Sequence, residues 1–344
     1  MKNLIHYANN VKLNQANQEK YDKIAVKKRA SDLVAFTYKK TNLPDREKKA
    51  KRLFCCGQKI TSAEIGENLV PFLVMRCGIR LCPSCSWIRA HKIFQNVFSI
   101  ITASEFDGKE FVFLTLTIKT CRGKYLESEI DRLLSGWKKL INVGDSPFRR
   151  SFLGTFRALE VTYNPFRKDY HPHLHAMAAV EPGYFINKNY IDQPKLRKLW
   201  RDACDLDYLP QCWIKKVKED DDKKIQDVVA EVSKYTIKNT DYINRPAVIE
   251  VLDPALKNKR LIAYGGIFKT VKARLSLPDE DDLDELPKMA VEEILKNPYI
   301  KKIVFEWQMG RYHVTLLEPS SDPADWLDPG RLAAAVLSGG QGVN

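Results

Sequence analysis

The sequence has no run approaching the ~20 consecutive apolar residues that a membrane-spanning helix needs. Its opening residues, Met1 to His6, carry no apolar core of the kind a secretory signal requires. Both absences lead us to expect a cytoplasmic protein with no membrane partner. No internal repeat is found. Acidic residues are the minority charge: 43 Asp and Glu stand against 56 Lys and Arg, for a formal net charge of +13. That balance favours a polyanionic partner, with nucleic acid ahead of an anionic surface. Histidine is scarce, at six in 344 residues, so its placement carries information.

Against these absences stand several patterned segments. Residues 18–52 are rich in Lys and Arg with few apolar positions, and read as a solvated, partly helical arm. Lys48, Lys49, Lys51 and Arg52 are its densest run and are expected to contact DNA phosphates. A helix is expected from about Trp87 to residue 103. Phe111 to Ile118 is rich in β-branched and aromatic residues and reads as a central strand. Residues 125–142 carry Leu126, Ile130, Leu133, Trp137 and Ile141 on one helical face. Two strands, 153–163 and 172–180, flank the polar turn Asn164 to Asp169. A helix follows Pro194, then a short strand from Cys212 to Lys218, and a helix over 223–239. Lys215 and Lys216 on the short strand are further expected DNA contacts. Strands joined alternately by hairpins and helices predict an α+β fold, with a mostly antiparallel sheet covered by helices. In the tail, Leu261 to Tyr264 is strand-like, and residues 288–317 suggest a helix and a hairpin.

The stretch His171-Pro172-His173-Leu174-His175 holds half of the chain's histidines. Alternate side chains of a strand share a face, so His173 and His175 point together, about 7 Å apart along the strand. A pair of imidazoles so placed can converge on one metal ion. His171 is either a further ligand or a cap at the strand start. The preceding strand carries Glu160 among apolar residues, and a buried carboxylate there needs a partner. Two imidazoles and one carboxylate suit Mn²⁺ or Mg²⁺ with positions left for water and phosphate oxygens.

On the helix expected over 223–239, Glu231 and Tyr235 stand at i and i+4, with Lys238 one turn on. Alone, this is an ordinary surface stripe. Beside a strand-borne metal pair, it is what tyrosine-mediated phosphodiester cleavage requires: a nucleophile, and a cation to help it ionise. Lys234 or Lys238 could supply that cation.

The cysteines concentrate between residues 55 and 85. Cys77, Cys82 and Cys85 form C-x4-C-x2-C, with Cys55-Cys56-Gly57 upstream. In a reducing compartment such crowding reads as metal binding, here structural Zn²⁺. Cys56 is favoured over Cys55 as fourth ligand, because Gly57 permits a tight turn.

At Phe113-Leu114-Thr115-Leu116-Thr117, at His171 to His175, and at Glu231, Tyr235 and Lys238, the sequence resembles the HUH endonucleases. Within them it is similar to the rolling-circle replication initiators of small bacterial plasmids, the Rep type 1 family. Arg80 to Trp87 shares the likeness, which covers roughly residues 53–245. The resemblance implies an HUH nuclease fold, with a central five-stranded antiparallel sheet flanked by helices and an N-terminal zinc-ribbon-like module. It implies that Tyr235 nicks single-stranded or extruded origin DNA, keeps the 5′-phosphate and frees a 3′-hydroxyl primer. It further implies that Glu231 activates water for terminal hydrolysis, and that a host helicase and replication machinery are partners. The expected division is a basic arm (1–52), a zinc-ribbon-like module and helix (53–104), an HUH endonuclease domain (105–245) and a C-terminal region of unassigned role (246–344). From about residue 319 that region is expected to be loosely held. A transposase or relaxase of the same superfamily, a non-catalytic zinc-containing DNA-binding regulator and a small-substrate metallohydrolase are the competing readings.

Overall fold

The protein is described by a computed structural model over residues 5–7, 13–142, 146–217, 222–233, 237–284, 286, 288–297 and 300–316. The chain folds as two compact units: residues 1–87 with 281–344, and residues 88–280. This division differs from the expected boundaries at 52, 104 and 245, because the second unit is inserted into the first along the chain.

The first unit opens with β1 (Ile5–Tyr7) and α1 (Gln15–Lys39). The Asn14 side chain caps α1, accepting from the Asn17 N–H at 2.9 Å. The basic segment is therefore no solvated arm. It buries Tyr21, Ile24, Ala25, Val34, Ala35 and Tyr38, and even Lys28. The Lys28 ammonium donates to Asp32 and to the Phe54 carbonyl, both at 2.6 Å, so its burial leaves no charge unpaired. After α2 (Arg46–Cys55), the hairpin of β2 (Lys59–Ile65) and β3 (Asn68–Val74) leads to α3 (Pro83–Ile101), within which the unit boundary falls.

The second unit continues with β4 (Glu110–Thr117), α4 (Leu126–Asn142), α5 (Pro147–Ser151), β5 (Gly154–Asn164) and β6 (Asp169–Val180). Then follow α6 (Gln193–Ala203), β7 (Cys212–Val217), α7 (Asp222–Val232), α8 (Pro246–Ala255), β8 (Ile262–Gly266) and α9 (Ile267–Arg274). Its sheet has the order β7-β4-β6-β5-β8 with every pairing antiparallel. This is the expected five-stranded antiparallel sheet flanked by helices. The strand-like segment of the tail, β8, supplies its fifth strand. On one face, Phe111, Phe156, Met177, Val217 and Tyr264 form a core with Val97 and Ile100 of α3, Val229 and Val232 of α7, and Phe268 and Val271 of α9. The other face buries Leu114, Leu116, Leu174 and Ala176, and α4 packs on β6 there. Trp200 of α6 donates its indole N–H to the Thr117 carbonyl at 3.0 Å.

The chain then returns to the first unit as α10 (Lys288–Lys296), β9 (Lys302–Gln308) and β10 (Arg311–Leu316). The helix and hairpin expected over 288–317 are thus present. Their hairpin joins a second sheet, of order β1-β10-β9-β2-β3.

Candidate active site and cysteine cluster

Strand register builds the first site. Glu160 of β5 lies directly opposite His173 of β6, and Thr115 of β4 lies opposite His175, so all four share one face. That face is apolar further along, under α3, α7 and α9. It turns polar towards the C-terminal end of β4, where Thr115, Thr117, His173, His175 and Glu160 stand in place of the apolar residues. Strand β6 begins earlier than expected, at Asp169, and runs through Pro172. Pro172 is tolerated because the β4 ladder ends at Thr117↔His173, one residue short of it. His171 therefore shares the site face, its ring stacked on that of His173 at 5.1 Å between centroids.

The three ligand atoms converge. The Nε2 atoms of His173 and His175 lie 3.3 Å and 3.1 Å from the same Glu160 oxygen, Oε2. Each Nδ1 is held from behind: that of His173 donates to the His171 carbonyl at 3.1 Å, and that of His175 meets Thr115 Oγ1 at 3.4 Å. Phe113 stacks on the His175 ring at 5.4 Å. Burial acts to raise the Glu160 pKa, but the bonds from His173 and His175 outweigh it and hold the carboxyl well below the usual range. The His173 contact has a direct consequence. A neutral imidazole whose Nδ1 carries the proton presents a bare lone pair at Nε2. Here that lone pair faces a carboxylate oxygen, acceptor against acceptor. Only a cation between them, a proton or a metal ion, reconciles the pair. Glu160, His173 and His175 form a group that could hold a metal ion.

The second site lies wholly in the first unit. Cys56 follows the end of α2, Cys77 follows β3, and Cys82 and Cys85 lie at the start of α3. Cys56 and Cys77 are each followed by a glycine in the left-handed region, Gly57 and Gly78, both with φ +68°. These turns bring the thiols together: Cys56 to Cys85 at 3.5 Å, and Cys77 to Cys85 and Cys82 to Cys56 at 3.6 Å. All four are buried and none is in a disulfide, whereas Cys55 lies outside the cluster. Sulfur contacts, that of Cys56 first, hold Cys85 well below the ordinary thiol range, while burial pushes Cys82 well above it. Four thiols so crowded form a second group that could hold a metal.

Other expected site residues are dispersed. Tyr235 lies outside the described residues. Helix α7 spans Asp222–Val232 rather than reaching 239, and past residues 234–236, which lie outside the described residues, Ile237 and Tyr242 are buried. Lys238 is extended (φ −70°, ψ 132°) and exposed ahead of a short 3-10 turn, so it does not continue a helical stripe from Glu231. Glu231 itself is half-buried in the last turn of α7. On α2, Lys48 and Lys51 are exposed, Lys49 pairs with Asp45 at 2.8 Å, and Arg52 donates to the Cys77 carbonyl. Lys216 pairs with Glu110 and covers the Phe185 ring, while Lys215 is exposed on the histidine face. Sequence reasoning missed Thr115 and the His171 carbonyl as supports of the histidines. Thr115 had a signal, its place at alternate spacing in β4; a backbone carbonyl has none.

Comparison with known proteins gives the context. The replication protein family matches residues 72–314. A "Protein rep" of Bacillus amyloliquefaciens is 36% identical over 285 residues, covering 75% of this chain and 83% of that protein. Another "Protein rep", from Bacillus sp, is 36% identical over 268 residues, covering 71% and 86%. One from Streptococcus pneumoniae is 31% identical over 278 residues, covering 75% and 85%. No solved structure matches. With a match across most of its length and relatives of this extent, the chain belongs to the replication protein family, the Rep type 1 plasmid rolling-circle initiators that its motifs resemble.

Proposed function

We propose that this initiator is a metal-dependent, site-specific endonuclease of the HUH fold. It nicks single-stranded or extruded DNA at the plasmid double-strand origin, in the cytoplasm. The observation that carries the reading is the convergence of Glu160, His173 and His175 on one face of the sheet. Their oxygen-and-imidazole donor set fits Mg²⁺ or Mn²⁺. Such an ion would polarise the scissile phosphate and offset charge in the transition state.

In this reading the Tyr235 phenol loses its proton and its oxygen bonds the phosphorus, while the 3′-oxygen leaves as the primer terminus. A free phenol has a pKa of about 10, so a nearby cation must favour the phenolate, and Lys238 is assigned that part. Glu231 accepts a proton from water in the final cleavage, so that the cycle ends by hydrolysis. Host helicase and replication proteins would extend the freed end. The cysteine cluster is assigned to structural Zn²⁺. Its sulfur separations approach the edge of a tetrahedron with metal–sulfur bonds of about 2.3 Å, which is about 3.8 Å.

The test is incubation of the protein with origin oligonucleotide and Mn²⁺. A covalent adduct on Tyr235 is expected, lost in Tyr235→Phe. Nicking that persists in that variant sinks the assignment. Glu231→Ala should nick but fail to terminate. His173→Ala should lose both Mn²⁺ binding and nicking while the fold survives.

A further inference from the structure

Strand β7 forms one edge of the nuclease-unit sheet, with β4 on its inner side. Its register places Trp213 opposite Thr115, and Thr115 opposite His175. Directly opposed residues share a face, so Trp213 stands on the histidine face two strands away, about 10 Å across the sheet. Lys215, two residues on, lies opposite Phe113 on the same face. Cys212 between its neighbours' opposite side is buried, and Val217 enters the core, so the pattern of β7 is otherwise ordinary. The departure is Trp213 itself. An indole that could have packed is 41% exposed, beside an exposed lysine, in a chain of net charge +13.

We infer that Trp213 and Lys215 form a platform for single-stranded DNA flanking the metal-holding group. Trp213 would stack on one base, and Lys215 would contact the adjoining phosphate. An exposed aromatic ring beside a cation is the combination that grips single strands without reading sequence. The net charge of the chain and the exposed Lys215 suit a polyanion, and the ring suits an unpaired base, which a duplex does not present. The platform rests on the proposed nuclease reading for its purpose, namely aligning a strand across the site. It does not rest on that reading for its affinity.

The experiment measures binding of a fluorescein-labelled homothymidine oligonucleotide to the full chain without added Mg²⁺ or Mn²⁺, by anisotropy over a salt series. Base–aromatic stacking is worth enough that Trp213→Ala should weaken binding about 10-fold, with Trp213→Phe close to wild type. Lys215→Ala should reduce the slope of log K against log salt by about 0.7, the loss of one single-strand phosphate contact. Unchanged affinity in Trp213→Ala overturns the platform, as does equal weakening in Trp213→Phe, which would indicate packing rather than stacking. Circular dichroism of each variant guards against misfolding. Binding that depends on Trp213 in a protein that never nicks would defeat the nuclease reading alone. Nicking by a protein indifferent to Trp213 would defeat the platform alone.

Discussion

At the residue scale, the second unit contains two cysteines whose burial makes a distinct chemical statement. Burial pushes the Cys204 and Cys212 thiols up to about 12. At pH 8 the thiolate, the reactive form, is then on the order of one part in ten thousand. Iodoacetamide at pH 8 should leave both essentially unmodified in the folded protein over the time in which an exposed thiol reacts, with a labelling rate that rises about tenfold per pH unit. Rapid modification at pH 8, read by mass spectrometry, would show that the sites open. Cys204 also sets a tight approach. A Cβ added to Gly136 of α4 would lie 2.2 Å from Cys204 Sγ. Gly136→Ala should therefore cost about 1–3 kcal/mol as overpacking, and the added Cys204→Ala change should recover part of that loss. Additive losses in thermal denaturation would contradict the contact.

At the scale of elements, Asn17 shows how α1 is fixed. Its amide donates to the Glu67 carbonyl at 2.9 Å and accepts from the Leu69 N–H at 3.0 Å. One buried side chain thus satisfies two backbone groups at the β2–β3 turn. Asn17→Leu leaves both without that partner and should lower stability by about 1–3 kcal/mol in urea denaturation, with no change in DNA nicking. The elements around the histidines were legible in the sequence for a physical reason. β4 is rich in β-branched and aromatic residues, and β5 and β6 are joined by a short polar turn, so the pairing of Glu160 with the histidine strand followed from local pattern alone. The remainder depended on contacts that local pattern does not carry. The hydrophobic signal of α1 is diluted by charge, since Lys28 lies among its buried residues. The pairing of β8 with β5, and of β9 with β2, links segments far apart in the chain. Beyond α7, Ile237 and Tyr242 are buried and Lys238 is extended, which an apolar count along a helix does not distinguish from continuation.

At the scale of the whole molecule, each unit has its own sheet, its own core and its own metal-suited group. If zinc holds the cysteine cluster, its removal should act on one unit. Stripping the protein with a thiol-directed mercurial should release one zinc per chain and lower one calorimetric transition, leaving the transition of residues 88–280 in place. Release of no zinc, or equal loss of both transitions, would argue against this. Metal binding of this kind contributes directly to folding free energy, so the affected transition should be the one that calcium- and magnesium-selective chelators leave unmoved. The sheet order β1-β10-β9-β2-β3 has one more consequence, for the newly made chain. Strand β2 emerges from the ribosome early, yet its neighbour β9 is among the last described segments to be made. Through the synthesis of the entire second unit, β2 waits with an open edge, the state in which strands pair with the wrong chain. A message truncated before Lys302 would release that edge for good, so a late segment of the chain guards an early one against mispairing.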